Sequence, residues 1–341
     1  MATRNTTAAR FYLKLAWIMS PASVFAAWLG IGPVDSARAQ DSWPSQRIQM
    51  IVPASAGSGT DIMARKMAEQ LALALKQPFV IENRAGASGV IGTSAVAKAP
   101  PDGYTLLYTN ASFAVMAPAV LKSVPYDPAR DLVPIAQTVV GGVLLLANKD
   151  LPAKNLRELI ALVKGSPQTY SYGTWATGSS GHLVMERLKK QTGMQLPHVA
   201  YRAVPQLITD LVSGAVKIGW ADPTSPLPFL QSGELRGIAI SGKVRPPQVP
   251  DIATMGEQGY PFESVGWYGI FAPAGTPATV VARLTDEVNK IQGSADMAKL
   301  MNTLNMEPPP VKTQAQFNEI VLSDLVVWKK LAAEAGVVLD N

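Results

Sequence analysis

The stretch Ile48–Asp61, IQMIVPASAGSGTD, carries the chain from a strand through a turn into a helix. Ile48, Met50, Ile51 and Val52 form an apolar run with β-branched members, as in a buried strand. In the turn Pro-Ala-Ser-Ala-Gly-Ser-Gly, proline sets φ and glycine permits positive φ. Thr60 or Asp61 is the expected helix cap, because Ile62, Met63, Met67 and Leu71 then recur at helical spacing. A strand that feeds a glycine-bearing loop into a helix presents unpaired N–H groups and the positive end of a dipole. That is an anion site made of backbone. An ordinary βα turn has the same residues, so both readings stand at this point.

Composition narrows the class. Of 341 residues 48% are hydrophobic, enough for a substantial core and incompatible with global disorder. Only 16% are charged, which predicts a neutral-polar surface. Arg4, Arg10 and Lys14 precede a mostly apolar run from Leu15 to Ile31, and Ala37-Arg38-Ala39 gives a small-x-small end. This pattern predicts a signal peptide over 1–39, cleaved before Gln40, and export. Ser20, Pro21 and Ser23 interrupt the run, which suits an h-region better than a membrane anchor. Removal of 1–39 takes four basic residues and one acid, leaving 26 basic against 24 acidic residues and a net charge of +2. With no basic cluster interleaved with aromatics, nucleic acid is not an expected partner. The chain has no cysteine, which excludes disulfides, thiol chemistry and a lipidated N-terminal Cys.

The opening pattern repeats along the chain. Residues 78–83 read as a second buried strand, 90–98 as a short helix and 105–109 as a third strand, which runs into the polar turn Asn110-Ala111-Ser112. The β-loop-α order predicts parallel sheets flanked by helices, with ligands at the carboxyl ends of strands. Residues 132–148, LVPIAQTVVGGVLLLAN, read as a strand crossing into a second lobe, bending at Gly141-Gly142. Tyr170–Gly173 then ends a strand, TWATGSSG makes a loop, and a helix follows from about Gly181 or His182. Residues 265–272 read as the return crossing, and Pro308-Pro309-Pro310 breaks the helical tail. The expectation is an α/β protein of two lobes, each a mostly parallel sheet flanked by helices, joined by two crossing strands. The first lobe would comprise 43–141 and 265–341, the second 142–264.

Catalytic chemistry finds little support. There are two histidines, His182 and His198, and no G-x-S-x-G, G-x-G-x-x-G or H-E-x-x-H pattern, so neither a cofactor nor a metal is expected. GIAISGK, residues 237–243, has part of the P-loop spacing, but Val244 stands where Ser or Thr should be and Pro246-Pro247 follows. Ser179 or Ser180 beside His182 leaves one enzymatic alternative, a secreted serine hydrolase. Asp222, at the end of VKIGWAD, is a candidate acceptor for a ligand hydroxyl or amine, and Asp61 an organiser of the first loop. Trp220 reads as core, and Trp175, inside a polar loop, as core or ligand contact.

Five stretches carry a resemblance: WPSQRIQMIVPASAGSGTD, PFVIENRAGASGVIGTSAVAKAPPDGYTLL, VPYDPARDLVPIA, SYGTWATGSSGHL and GWYGIFAPAGTPATVVARL. Together they resemble the tripartite tricarboxylate transporter substrate-binding receptors, the Bug family of periplasmic binding proteins. The resemblance implies a two-lobed type II periplasmic binding fold without enzymatic activity, and a monomer that serves membrane permease subunits. It implies an aliphatic di- or tricarboxylate, or an aromatic carboxylate, held by backbone amides, hydroxyls and bridging waters. Carried over by position, the first loop supplies Ala54, Ser55, Ala56, Gly57, Ser58, Gly59, Thr60 and Asp61. The third strand supplies Thr109, Asn110 and Ser112. The second-lobe loop supplies Thr174, Trp175, Ala176, Thr177, Gly178 and Ser179 with His182, and the later strand end supplies Asp222. This chain departs from the family pattern at Ser55 and Ser58, at Trp175 and Ala176, and at Tyr201-Arg202-Ala203, where Tyr-Lys-Gly is usual.

Overall fold

The structure is a computed structural model that describes residues 43–166 and 169–337, so the export signal expected at 1–39 lies outside the described residues. Strands β1 (Ile48–Val52), β2 (Phe79–Asn83), β3 (Thr105–Asn110), β4 (Leu132–Gly141) and β10 (Gly266–Pro273) form one sheet in the order β2-β1-β3-β10-β4. Strands β5 (Leu144–Asn148), β6 (Tyr172–Thr174), β7 (His198–Ala200), β8 (Ile218–Ala221) and β9 (Leu235–Ile240) form the other, in the order β7-β6-β8-β5-β9. The first-sheet helices are α1 (Gly59–Leu75), α2 (Val90–Ala97), α3 (Ala117–Val120) and α4 (Pro128–Asp131). Those of the second are α5 (Leu156–Gly165), α6 (Ser180–Thr192), α7 (Val204–Ser213) and α8 (Leu227–Gln231). The tail adds α9 (Ala278–Gln292), α10 (Ala295–Thr303) and α11 (Gln314–Ala335), with Pro308-Pro309-Pro310 between the last two.

The sheets repeat one plan. β2, β1 and β3 run parallel, as do β7, β6 and β8, and in each sheet the remaining two pairings are antiparallel. In each sheet four strands run the same way and one, β10 in the first and β5 in the second, runs against them, so the sheets are mixed yet mostly parallel in direction, as expected. β1 is apolar because it lies between two strands under α1, with Ile48, Met50 and Val52 wholly buried. β2, expected to be buried, is an edge strand with Val80 exposed.

The stretch 132–148, expected as one strand, is two strands in different sheets, and the chain changes lobe between β4 and β5. There Val143 N–H donates to Ser241 Oγ at 2.9 Å and Ser241 N–H donates to Val143 O at 3.1 Å, so the two connections run side by side. A Cβ on Gly142 would collide with the Ser241 carbonyl, which explains the glycine. α11 packs on β4 and also on α6, so the tail touches both lobes. Trp328 on α11 shares one core cluster with Leu107, Leu145 and Trp220, which come from both sheets.

The first helix starts earlier than expected. Ser58, in extended conformation, is its N-cap and accepts from Asp61 N–H at 3.3 Å. The Asp61 carboxylate instead ties the loop to its surroundings: Gly57 N–H donates at 2.9 Å, Asn83 Nδ2 at 2.9 Å and Arg65 Nε at 3.1 Å. Burial pushes the Asp61 carboxyl up, but the Arg65 guanidinium and the Gly57 and Asn83 hydrogen bonds outweigh it and hold the pKa below its ordinary value. Asp61→Ala strands these donors around a 2% exposed position, and is expected to lower unfolding free energy by about 2–4 kcal/mol. Urea denaturation measures this; a loss under about 0.5 kcal/mol would contradict the role given to Asp61.

Candidate functional site

A cavity of about 950 Å³ lies at the carboxyl ends of the strands, between the two lobes. Ser55, Ser58 and Thr60 from the first loop line it, with Asn110 and Ser112 from the end of β3. Asn110 Nδ2 donates to Thr60 Oγ1 at 2.9 Å, and Asn110 Oδ1 accepts from Phe113 N–H at 3.2 Å, which fixes both side chains. Asn110 closes the strand rather than standing in a turn, and the chain then passes directly into a π-helical segment at Ser112–Met116. Among the described residues no protein acceptor faces the N–H groups of Gly59 and Thr60, the free donors of a helix start.

The second lobe presents Trp175, Ala176, Thr177 and Ser180 to the same cavity. Ser179 caps α6, its hydroxyl accepting from His182 N–H at 3.4 Å. His182 Nδ1 accepts from Gly178 N–H at 2.9 Å, which places the imidazole proton on Nε2. The His182 ring stacks on His198 at a centroid distance of 4.0 Å, and His198 Nε2 meets Thr174 Oγ1 at 2.8 Å. Burial, reinforced by Lys189, depresses the His182 pKa to about 4. Burial and the neighbouring His182 depress that of His198 to about 3. Both imidazoles are neutral at pH 7, and neither accepts from a serine hydroxyl. The hydrolase alternative is thus unsupported: the Ser179 and Ser180 hydroxyls serve the backbone and Ser112, not a general base.

The lobes engage each other through polar groups at these helix starts. Ser112 Oγ accepts from Ser180 N–H, the first amide of α6, at 3.2 Å. Reciprocally, Asp222 reaches the start of α1, where a Cβ on Gly59 would meet its carboxylate and the Tyr268 hydroxyl. Asp222 is itself held by Thr224 N–H at 3.0 Å, Ser225 N–H at 2.9 Å and Ser225 Oγ at 2.8 Å. Its charge adds to burial in pushing the Tyr268 pKa well up. Ser88 Oγ donates to Thr177 O at 3.0 Å across the same boundary.

Of the positions expected in the site, Ala54, Ser55, Ser58, Thr60, Asn110, Ser112, Trp175, Ala176, Thr177 and Asp222 line the cavity. Ala56 and Gly57 face outward, whereas Gly59, Asp61, Thr109, Thr174, Gly178, Ser179 and His182 stand behind the wall. Thr109 is wholly buried in β3, Gly59 opens α1 beside Asp222, and the others support the loops through the bonds above. Trp220 is core. Trp175 is part-buried where three hydrophobic clusters meet. The wall also holds Phe113, Arg245, Tyr268 and Glu307, which the sequence reading missed, and Tyr201 and Arg202, which it noted as a departure from the family pattern without placing them in the site. Tyr201 and Arg202 follow the end of β7, so the strand-end rule that found the other loops points to them too. Arg245 is occupied by Glu257, its Nε lying 3.0 Å from both carboxylate oxygens.

The stacked histidines give the fold a pH dependence. Unfolded, each titrates near 6.5; folded, each stays neutral down to about 4 and about 3. Their contribution is complete above pH 6.5 and is lost as pH falls toward 4, at up to about 1.4 kcal/mol per pH unit for each ring. Urea unfolding at pH 7, 6 and 5 is expected to show that decline, and a flat profile would contradict it.

The family described as "Tripartite tricarboxylate transporter family receptor" matches residues 63–337. Protein BugT of Bordetella pertussis is 32% identical, over 95% of this chain and 99% of its own. The solved structure of R. palustris Rpa4515 with adipate superposes with a TM-score of 0.84 at 32% identity, covering 88% of this chain and 100% of that one. MatC (Rpa3494) from Rhodopseudomonas palustris with bound malate superposes at 0.80 with 28% identity, covering 85% of this chain and 99% of that one. The two sheets, the cavity between them and these likenesses agree: the chain belongs to the tripartite tricarboxylate transporter receptors of the Bug family, which bind solutes and are not enzymes.

Proposed function

We propose that this chain captures a small organic carboxylate between its lobes and delivers it to a membrane permease of the tripartite type. The export signal expected at 1–39 would place it in the periplasm. The observation that carries the reading is the pairing of two serine-bearing helix starts, Ser58–Thr60 and Ser180, across one cavity. Backbone N–H groups and hydroxyls there stabilise a carboxylate through dipoles, and bridging waters complete its hydrogen bonds. The bound adipate and malate of the two structural relatives are the same ligand chemistry. Closure of the lobes over the ligand would bring Asp222 and Ser112 to the positions they hold here, producing the form that a permease recognises.

A thermal-shift screen of mono-, di- and tricarboxylates, aliphatic and aromatic, tests the ligand class. A ligand at about 100 times its Kd stabilises the fold by about 2.7 kcal/mol, a readily measured shift. No shift from any of these acids would overturn the reading. Closure has its own test in Gly59→Ala, whose methyl would meet the Asp222 carboxylate. Calorimetry is expected to show affinity for the screened acid falling by about tenfold, about 1.4 kcal/mol, and an unchanged Kd would contradict the closed geometry.

A further inference from the structure

We propose that Arg202 is a second anion subsite, which selects elongated dicarboxylates by pairing its guanidinium with the carboxylate farther from the helix starts. This rests on the carboxylate-receptor reading and adds to it a side chain and a ligand shape. Four charged residues line the cavity: Arg202, Asp222, Arg245 and Glu307. Arg245 is held by Glu257, and Asp222 by its own turn. Arg202 has neither an ion pair nor a hydrogen bond among the described residues, and is the cation of the wall left for a ligand.

Its position follows from the sheet. In the order β7-β6-β8, the Ser180 loop follows β6 and Asp222 follows β8, whereas Arg202 follows β7 at the edge. Arg202 is thus displaced outward by one strand spacing, about 4.8 Å, from the loop that carries Ser180. Tyr201 anchors the approach: its N–H donates to Thr174 O at 2.8 Å and its hydroxyl to Asp210 Oδ2 at 2.9 Å. Trp175 follows β6, the strand between, and lines the cavity, where an aromatic side chain would meet the middle of such a ligand. The next turn also meets the first lobe, since a Cβ on Gly57 would lie 3.7 Å from Pro205. Arg202 therefore stands at the rim where the lobes approach, and a guanidinium there forms bidentate, charge-assisted bonds to a carboxylate. A monocarboxylate of the same length would engage the helix starts and leave Arg202 in water.

Calorimetry with two matched pairs, adipate against hexanoate and terephthalate against benzoate, tests this on the wild-type protein, Arg202→Gln and Arg202→Lys. In at least one pair the wild type is expected to prefer the dianion by tenfold or more. Arg202→Gln should weaken that dianion at least tenfold and leave its monoanion within twofold, with Arg202→Lys between. Loss of both members equally, or of neither, would overturn the Arg202 subsite while leaving the receptor reading intact. Failure of the wild type to bind any of the four acids would overturn the subsite, and the receptor reading falls with it only if the wider carboxylate screen is also blank.

Discussion

The way the two lobes meet depends on contacts at two helix starts. Ser112 of the first lobe takes the leading N–H of α6, and Asp222 of the second lobe lies against the leading residue of α1. A helix start leaves amides unsatisfied: the Ser112 hydroxyl takes one at α6, and the Asp222 carboxylate lies near the positive end of α1 without a hydrogen bond to it. This interaction aligns the strand ends, and the cavity is the space left between them. It also gives Gly59 a steric reason, because any side chain there would hold the lobes apart.

Under the proposed reading, a site whose cations stand away from the helix starts suits a receptor that must release its cargo. A carboxylate held by backbone dipoles, hydroxyls and water avoids the desolvation of a buried ion pair, which is costly to form and costly to break. The proposed Arg202 subsite would place the ionic contribution at the rim, where the guanidinium is exposed. The supporting residues are arranged accordingly: Asp61 fixes the first loop through three donors, and the neutral His182–His198 stack fixes the second.

Much of this was legible in the sequence, for identifiable reasons. The strand-loop-helix pattern at 48–61 and again at 170–182 is local, set by apolar period, glycine and capping chemistry, and it placed both loops at strand ends. Its boundaries shifted where tertiary contact intervened: Ser58 caps α1 because Asp61 is drawn off by Asn83 and Arg65, partners distant or a turn away. The run 132–148 looked like one strand because both halves are equally apolar, and only pairing with different sheets separates them. Among site residues, those behind the wall shared their loops with those lining it, and residue type alone does not tell the two apart. Tyr201-Arg202-Ala203 stands out in the sequence as a departure from the family pattern, but without a glycine-rich loop nothing there marks Arg202 as part of the wall, although its place at a strand end is the same.

The direct test of the clamp is a 1H–15N correlation spectrum recorded while the protein is titrated with the carboxylate that stabilises it most. The account predicts that the largest shifts fall on the amides of Ser58, Thr60, Thr177 and Ser180, which line the cavity at and beside the two helix starts. Saturation with those amides unmoved, and shifts confined to the wall near Arg245 and Pro246, would contradict it.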